Sequence, residues 1–238
     1  MANTKKNLKI CVIMPAYNEA NVINDVISSA IKTFSSSSHD IQIVIIDDAS
    51  TDHTSEIVKK HNVTIIKHIV NSGAGSATAT GLSYAARNNF DIAATMDADG
   101  QHSPQDVLNG INLIIKLGDD LLIGSRLIDK NGMPKVKIIG NKGLSIITNI
   151  LFGIKTTDSQ SGLRIFSKNA LEVLRWKNNG YEFCSEMIWR ANQNKLKISE
   201  YPIKAIYTDY SKKKGQNNWN GINITKNLIK RRIAEIFG

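Results

Sequence analysis

Two carboxylates two positions apart, Asp97 and Asp99 in MDADGQH (96–102), follow directly on an apolar run. Side chains alternate along a strand, so at a strand's end both acids point to one side, at one object. Two anions that close call for a cation between them. The amide oxygen of Gln101 stands beside the pair, and a helix start follows at Ser103-Pro104. Oxygen donors of this kind suit Mg²⁺ or Mn²⁺, which take one or two carboxylates and fill the remaining positions with water and substrate phosphate oxygens. A sparse metal site therefore implies a phosphorylated ligand. A second acidic pair, Asp47-Asp48 in IIDDASTD (45–52), closes another apolar run, where a bare helix cap would not require both acids. Capping alone accounts for Asn18, Ser50, Thr51 and Asp52.

The elements that must carry these groups read as a β/α alternation. Apolar runs at 8–15, 41–48, 63–69, 91–99 and 120–126 are strands, and helical periodicity lies near 19–33, 51–61, 74–88 and 104–117. Near-continuous Val/Ile runs suit strands covered on both faces, hence a mostly parallel sheet whose ligands sit beyond the carboxyl ends of the strands. The loop NSGAGSATATG (71–81) resembles a phosphate loop but lacks the P-loop Lys and the GxGxxG spacing. It signals a close backbone approach at a helix start.

Two cysteines in 238 residues give neither a disulfide framework nor a zinc cluster, so Cys11 and Cys184 read as packing residues in a reducing compartment. The first apolar run is too short and wrongly flanked for a signal peptide. The stretch 138–154, interrupted by Asn, Lys and Gly, falls short of the ~20 residues of a bilayer span. The net charge is +9, and from Lys204 onward eight basic residues (204, 212, 213, 214, 226, 230, 231, 232) face only Asp209 and Glu235. Within 222–237, Ile222, Ile224, Leu228, Ile229, Ile233, Ile236 and Phe237 alternate with the basic residues as in an amphipathic basic helix. Such a helix attaches to an anionic membrane surface, or packs on the domain or in a dimer. With acids at the strand ends and no DNA-binding motif, a nucleic-acid partner is not expected.

PAYNE, IIDDASTD, NSGAGSATATG, MDADGQHSP, GSR and DSQSGLRIFS occur in the order seen in family 2 glycosyltransferases of GT-A fold, and the chain resembles the polyprenyl-phosphate (dolichyl-phosphate) mannose or glucose synthases over about residues 8–210. That resemblance implies a Rossmann-like, mostly parallel sheet flanked by helices over 1–210, with a basic loop and C-terminal helix over 211–238. It implies a metal-dependent, inverting transfer of a hexose from a nucleotide-sugar of GDP-mannose or UDP-glucose type to a polyprenyl phosphate. Mg²⁺ or Mn²⁺ would sit on Asp97, Asp99 and Gln101. Pro15, Tyr17, Glu19, Asp48 and Ala98, with Lys212 and Lys214, would line the donor, and Arg126 and Arg164 would approach the phosphates. The segment 138–154 would lie in the bilayer interface, placing the protein on the cytoplasmic face of a membrane in cell-envelope glycan synthesis, alone or with an integral-membrane partner or a second copy.

A family 2 enzyme acting on a saccharide hydroxyl is the alternative, and it needs a base. Neither an ED-type base motif nor QxxRW is present, which leaves Asp158 as the base candidate, or a turn residue before Ser159. A nucleotidyltransferase would differ by releasing pyrophosphate. Glu182 and Glu186, four apart on a helical pattern, share one face, and the resemblance puts that helix on the acceptor side.

Overall fold

The computed structural model describes residues 7–131, 133–207, 225–226 and 228–230. The first five strands fall where the apolar runs lie: β1 (Lys9–Ala16), β2 (Asp40–Asp47), β3 (Thr64–Lys67), β4 (Ile92–Thr95) and β5 (Leu121–Ser125). Between them run α1 (Ile23–Phe34), α2 (Thr54–Val58), α3 (Ala74–Arg87) and α4 (Pro104–Leu117). Then come α5 (Lys135–Phe152), β6 (Arg164–Ser167), α6 (Lys168–Val173), α7 (Phe183–Gln193) and β7 (Ile198–Pro202).

The seven strands form one sheet in the order β3-β2-β1-β4-β6-β5-β7, parallel except for β6. Strand residues divide alternately between two cores. Cys11, Ile13, Val44 and Ile46 face α3, α6 and α7, while Ile10, Val12, Met14, Ile43 and Ile45 face α1 and α4. Burial pushes the Cys11 thiol up to about 12 and Cys184 up to about 11, so both are inert packing groups.

The one antiparallel strand matters for the site. It reverses the chain so that its start, Gly162 to Arg164, meets the edge where β1, β2, β4 and β5 end. Arg164 pairs in register with both Thr95 and Ile123, and the Thr95 hydroxyl donates to the Gly162 carbonyl at 2.7 Å. Sequence periodicity gave no hint of this reversal.

Helix α4 starts and stops as its residues dictate. Ser103 accepts from the Gln105 N–H, Pro104 opens the first turn, and Gly118 closes the helix in the left-handed region. The capping expected of Asn18, Ser50 and Thr51 is not what forms. α1 begins at Ile23, and Asn18, at φ 55°, accepts from the backbone N–H of Thr51 at 2.9 Å. Ser50 accepts from Asn18 N–H and Thr54 from Glu19 N–H, at 3.0 and 2.8 Å. These side chains stitch the β1 and β2 loops into one rim.

Lys212, Lys213 and Lys214 lie outside the described residues, as does most of the expected basic helix and of the unit 211–238. Of that stretch, residues 225, 226 and 228–230 are helical, and Leu228 is buried in the core shared with α7.

Candidate active site

A cleft of about 1090 Å³ opens at the carboxyl edge of the sheet. Its lining includes Pro15, Tyr17, Glu19, Asp48, Asp97, Ala98, Asp99, Gln101, Arg126 and Arg164, so the described residues singled out in the sequence for metal and nucleotide come together here. The lining also takes in the α5 face that carries Val136, Ile139, Gly140, Gly143 and Ile147, together with Gly180, Tyr181 and Phe183.

The acid pair reaches the cleft by a different route from strand alternation. β4 ends at Thr95, and Asp97 to Gly100 form a turn closed by Gly100 at φ 79°. Gln101 holds Asp99 with its backbone N–H at 2.9 Å and its side-chain amide at 2.5 Å, so the atom of Gln101 left for a cation is the amide oxygen. His102, buried, meets the Asp97 N–H through Nδ1 at 3.1 Å and pins the turn. A Cβ on Gly162 would displace the Asp97 carboxylate, so glycine there leaves the acid in its place. Burial first, and then the charge of Asp97, push the Asp99 carboxyl above its ordinary value against the lowering bonds from Gln101.

Asp48 is not a bare anion. Its carboxylate accepts from Ser72 N–H at 2.9 Å, from Gly73 N–H at 2.7 Å and from His68 Nδ1 at 2.7 Å, while His68 Nε2 meets the Thr80 hydroxyl at 3.0 Å. Asp47, fully buried, accepts from Ser50 N–H and the Ser55 hydroxyl with Lys67 at 3.7 Å. Asp47 therefore braces the β2 loop, and Asp48 braces the loop that opens α3.

Arg126 and Asp158 form a bidentate ion pair, Nε to Oδ2 at 2.7 Å and Nη2 to Oδ1 at 2.8 Å, with the Arg126 backbone N–H adding a third bond. Asp158 is fully buried. Burial would raise its pKa, but the charge and hydrogen bonds of Arg126 win and hold the carboxyl below the ordinary range. Arg164 is 1% exposed and donates to the Ser161 and Ser159 carbonyls and to Met187 Sδ. It sits beneath the acid pair as a buried positive charge, not as a reaching arm.

Glu186 is also fully buried. Its carboxylate accepts from the backbone N–H groups of Lys177 and Asn178, with Arg190 at 3.4 Å. The sequence offered Asp97 and its neighbours but not His68, His102 or Tyr181. For His102 the signal was present, since it stands two residues beyond Gly100 in a turn that must be held from behind.

Residues 11–175 match the family described as "Glycosyl transferase family 2". The chain belongs to glycosyltransferase family 2. It is 41% identical over 249 residues to the UDP-N-acetylglucosamine–dolichyl-phosphate N-acetylglucosaminyltransferase of Methanococcus voltae, spanning 95% of this chain and 97% of that protein. It is 24% identical over 246 residues to the polyprenol monophosphomannose synthase of Mycolicibacterium smegmatis, covering 98% and 89%. Among solved structures, mannosyl-3-phosphoglycerate synthase from Rubrobacter xylanophilus shares the GT-A fold with a TM-score of 0.70 at 13% identity, over 96% of this chain and 73% of that one. Glucosyl-3-phosphoglycerate synthase from Mycobacterium tuberculosis, crystallised with Mn²⁺ and UDP, shares it at 0.64 and 17%, over 93% and 77%. This family 2 chain is thus a glycosyltransferase with relatives that act on polyprenyl phosphates.

Proposed function

We propose that this glycosyltransferase moves a hexose, or its N-acetylated amine, from a nucleotide-sugar to a polyprenyl phosphate at a membrane surface, inverting the anomeric carbon. The observation that supports it most is the state of Asp158. A hydroxyl acceptor must lose a proton, and a buried carboxylate held by Arg126 below the ordinary range is a poor group to take one. A phosphate acceptor arrives ionised and needs only positioning. Its oxygen attacks the anomeric carbon as the bond to the nucleoside diphosphate breaks, and no protein base enters.

The donor set fits a hard divalent cation. Asp97 and Asp99 repel across a turn in which Asp99 is pushed toward its neutral form, a state that a cation would reverse. Among the described residues no group of three or more His, Cys, Asp and Glu stands ready as a full cage, which matches a site completed by phosphate oxygens. Asp97, Asp99 and the Gln101 amide oxygen would hold it, and when bound there Mg²⁺ or Mn²⁺ neutralises the charge that gathers on the departing diphosphate. Pro15, Tyr17, Glu19 and Asp48 would wall the nucleotide, and Arg126, charged throughout, would bear on the phosphates.

The test is transfer of label from UDP-N-acetylglucosamine, UDP-glucose and GDP-mannose into organic-extractable dolichyl or undecaprenyl phosphate with Mn²⁺ or Mg²⁺. The UDP-N-acetylglucosamine arm heads the panel because of the Methanococcus voltae relative. Label is expected in the lipid phase and lost on chelation. Donor hydrolysis without lipid product, or label on a soluble saccharide, overturns the acceptor.

The surface that would face the bilayer is α5. At 3.6 residues per turn, Val136, Ile139, Ile146 and Ile150 fall on one stripe, opposite the buried stripe of Ser145, Thr148 and Phe152. Ile139 is 72% and Ile150 76% exposed, so this helix turns apolar residues outward and hydroxyls inward. It carries Lys135, Lys137 and Lys142 and no acid. No helix among the described residues is long and apolar enough to cross a membrane. An apolar, cationic helix lying in the headgroup region beside the cleft would present the lipid phosphate to Arg126. The double variant Ile146→Glu/Ile150→Glu, at two exposed positions that do not line the cleft, is expected to lower cosedimentation with vesicles containing anionic lipid by roughly tenfold or more, while metal-dependent donor binding stays; unchanged cosedimentation overturns the docking role.

A further inference from the structure

Between α6 and α7, residues Trp176 to Tyr181 form a strap whose last two residues border the cleft. Three contacts tie its first part down. Glu186 accepts from the N–H groups of Lys177, at 3.2 Å, and Asn178, at 2.9 Å. Gly75 N–H donates to the Asn179 carbonyl at 2.7 Å. Trp176 Nε1 donates to the Gly75 carbonyl at 3.1 Å, its ring tilted on Phe183. The two chains touch so closely that a Cβ on Gly73 or Gly75 would collide with the Asn179 or Asn178 carbonyl. Gly73 is also the residue whose N–H binds Asp48. The strap is therefore joined at one end to the nucleotide wall.

Its other end runs into α7, where the Gly180 and Tyr181 carbonyls accept from the N–H groups of Phe183 and Cys184 at 3.1 and 3.2 Å. Tyr181 is 60% exposed, yet it lines the cleft together with Gly180. Partial burial and then the charge of Asp97, with Asp99 and Glu19 further off, raise its phenol, so it stays a neutral hydrogen-bond donor across the physiological range. An aromatic ring with a hydroxyl, lining the same cleft as the acid pair, suits a sugar: the ring can cover its apolar face and the hydroxyl can meet a ring substituent.

We propose that the strap is the sugar-side wall of the donor site, with Tyr181 the residue that recognises the transferred hexose and Glu186 the positioning residue that holds the strap in place. This rests on the nucleotide-sugar reading of the cleft. A strap clamped to the nucleotide wall holds Tyr181 in the cleft that carries the acid pair, so sugars of different substitution meet the same hydroxyl. Glu186 acts from behind, and its effect passes through the two backbone N–H groups it holds.

Calorimetric titration of the whole chain with UDP and with UDP-N-acetylglucosamine, both with Mn²⁺, separates the contributions. In the wild type the sugar adds affinity over UDP alone. Tyr181→Ala is expected to bind UDP within twofold of wild type and to lose most of that added affinity, with the donor KM raised roughly tenfold. Tyr181→Phe is expected to keep the part due to the ring. Glu186→Gln, which retains one acceptor oxygen, is expected to fall between wild type and Tyr181→Ala. Because Tyr181 is exposed, its removal leaves the core intact. Equal losses for UDP and for the nucleotide-sugar, or no loss in Tyr181→Ala, overturn the assignment. A wild type that binds neither probe removes the nucleotide-sugar reading itself, a different result from a wild type that binds both while Tyr181 is indifferent.

Discussion

Asp99→Asn is expected to lower sugar transfer by about 10³-fold while leaving the chain at least as stable as the wild type. The loss follows from the proposed role: removing one preorganised charge that acts on the developing leaving group costs about 10²–10³ in rate, and here the metal's hold on the site goes with it. The stability follows from the burial of Asp99 beside Asp97, which raises its pKa. For a carboxyl whose folded pKa lies above the unfolded one, the unfolded state holds the charge more easily, so ionisation at neutral pH works against folding. A neutral amide removes that strain, and the Gln101 side chain can turn its amide over to keep both bonds.

The sign of the shift also sets a pH dependence. As pH falls, Asp99 takes up a proton at a value above the ordinary 3.8, and Mn²⁺ affinity falls with it. Thermal unfolding with and without Mn²⁺, alongside the transfer assay, checks all of this. The wild type should be stabilised by Mn²⁺ and Asp99→Asn should not. Transfer within tenfold of wild type, or a destabilised variant that still responds to Mn²⁺, would remove Asp99 from the metal site.

How much of this was legible in the sequence depends on distance along the chain. The five strands and the helix starting at Ser103-Pro104 are local patterns of period and cap, and the fold places them as the residues imply, whereas the acid pair comes from a turn after β4 and not from strand alternation. What the residues could not show is made by contacts between distant segments. Asn18 meets Thr51 across the rim, so a residue that looked like a helix cap is a loop staple. Gly73 and Gly75, whose sequence pattern suggested a phosphate, are small because the strap at 178–179 lies on them. α5 was legible as apolar but not as inverted, since only the fold decides that Ser145 and Thr148 turn inward and Ile139 and Ile150 outward. Arg164 shows the same limit: the sequence marks it for phosphate, and only the antiparallel β6 beside Thr95 shows that it lines the cleft as a buried group bonded to the Ser159 and Ser161 carbonyls.

Asp158→Ala is expected to cost about 3–5 kcal/mol of stability, because a guanidinium that is largely shielded loses its bidentate partner. Asp158→Asn, which keeps an acceptor of the same shape, should cost less and give a chain folded well enough to assay. Two roles for this residue then predict different kinetics. If Asp158 deprotonates an acceptor, Asp158→Asn loses kcat by several orders of magnitude and the acid limb of the rate profile disappears with it. If it aims Arg126, as the paired bonds support, the loss is smaller, roughly tenfold to a hundredfold at the ~1.4 kcal/mol per decade of transition-state stabilisation. It appears as a raised KM for the lipid phosphate, with the acid limb still present. The native carboxylate, held below the ordinary range, contributes stability that is fully present above the unfolded carboxyl value and is lost progressively as the pH falls from there through its lowered pKa. That window lies far below the pH at which a working base would titrate. Asp158→Asn with an abolished kcat and an unchanged KM would return Asp158 to the base role, and with it the hydroxyl acceptors.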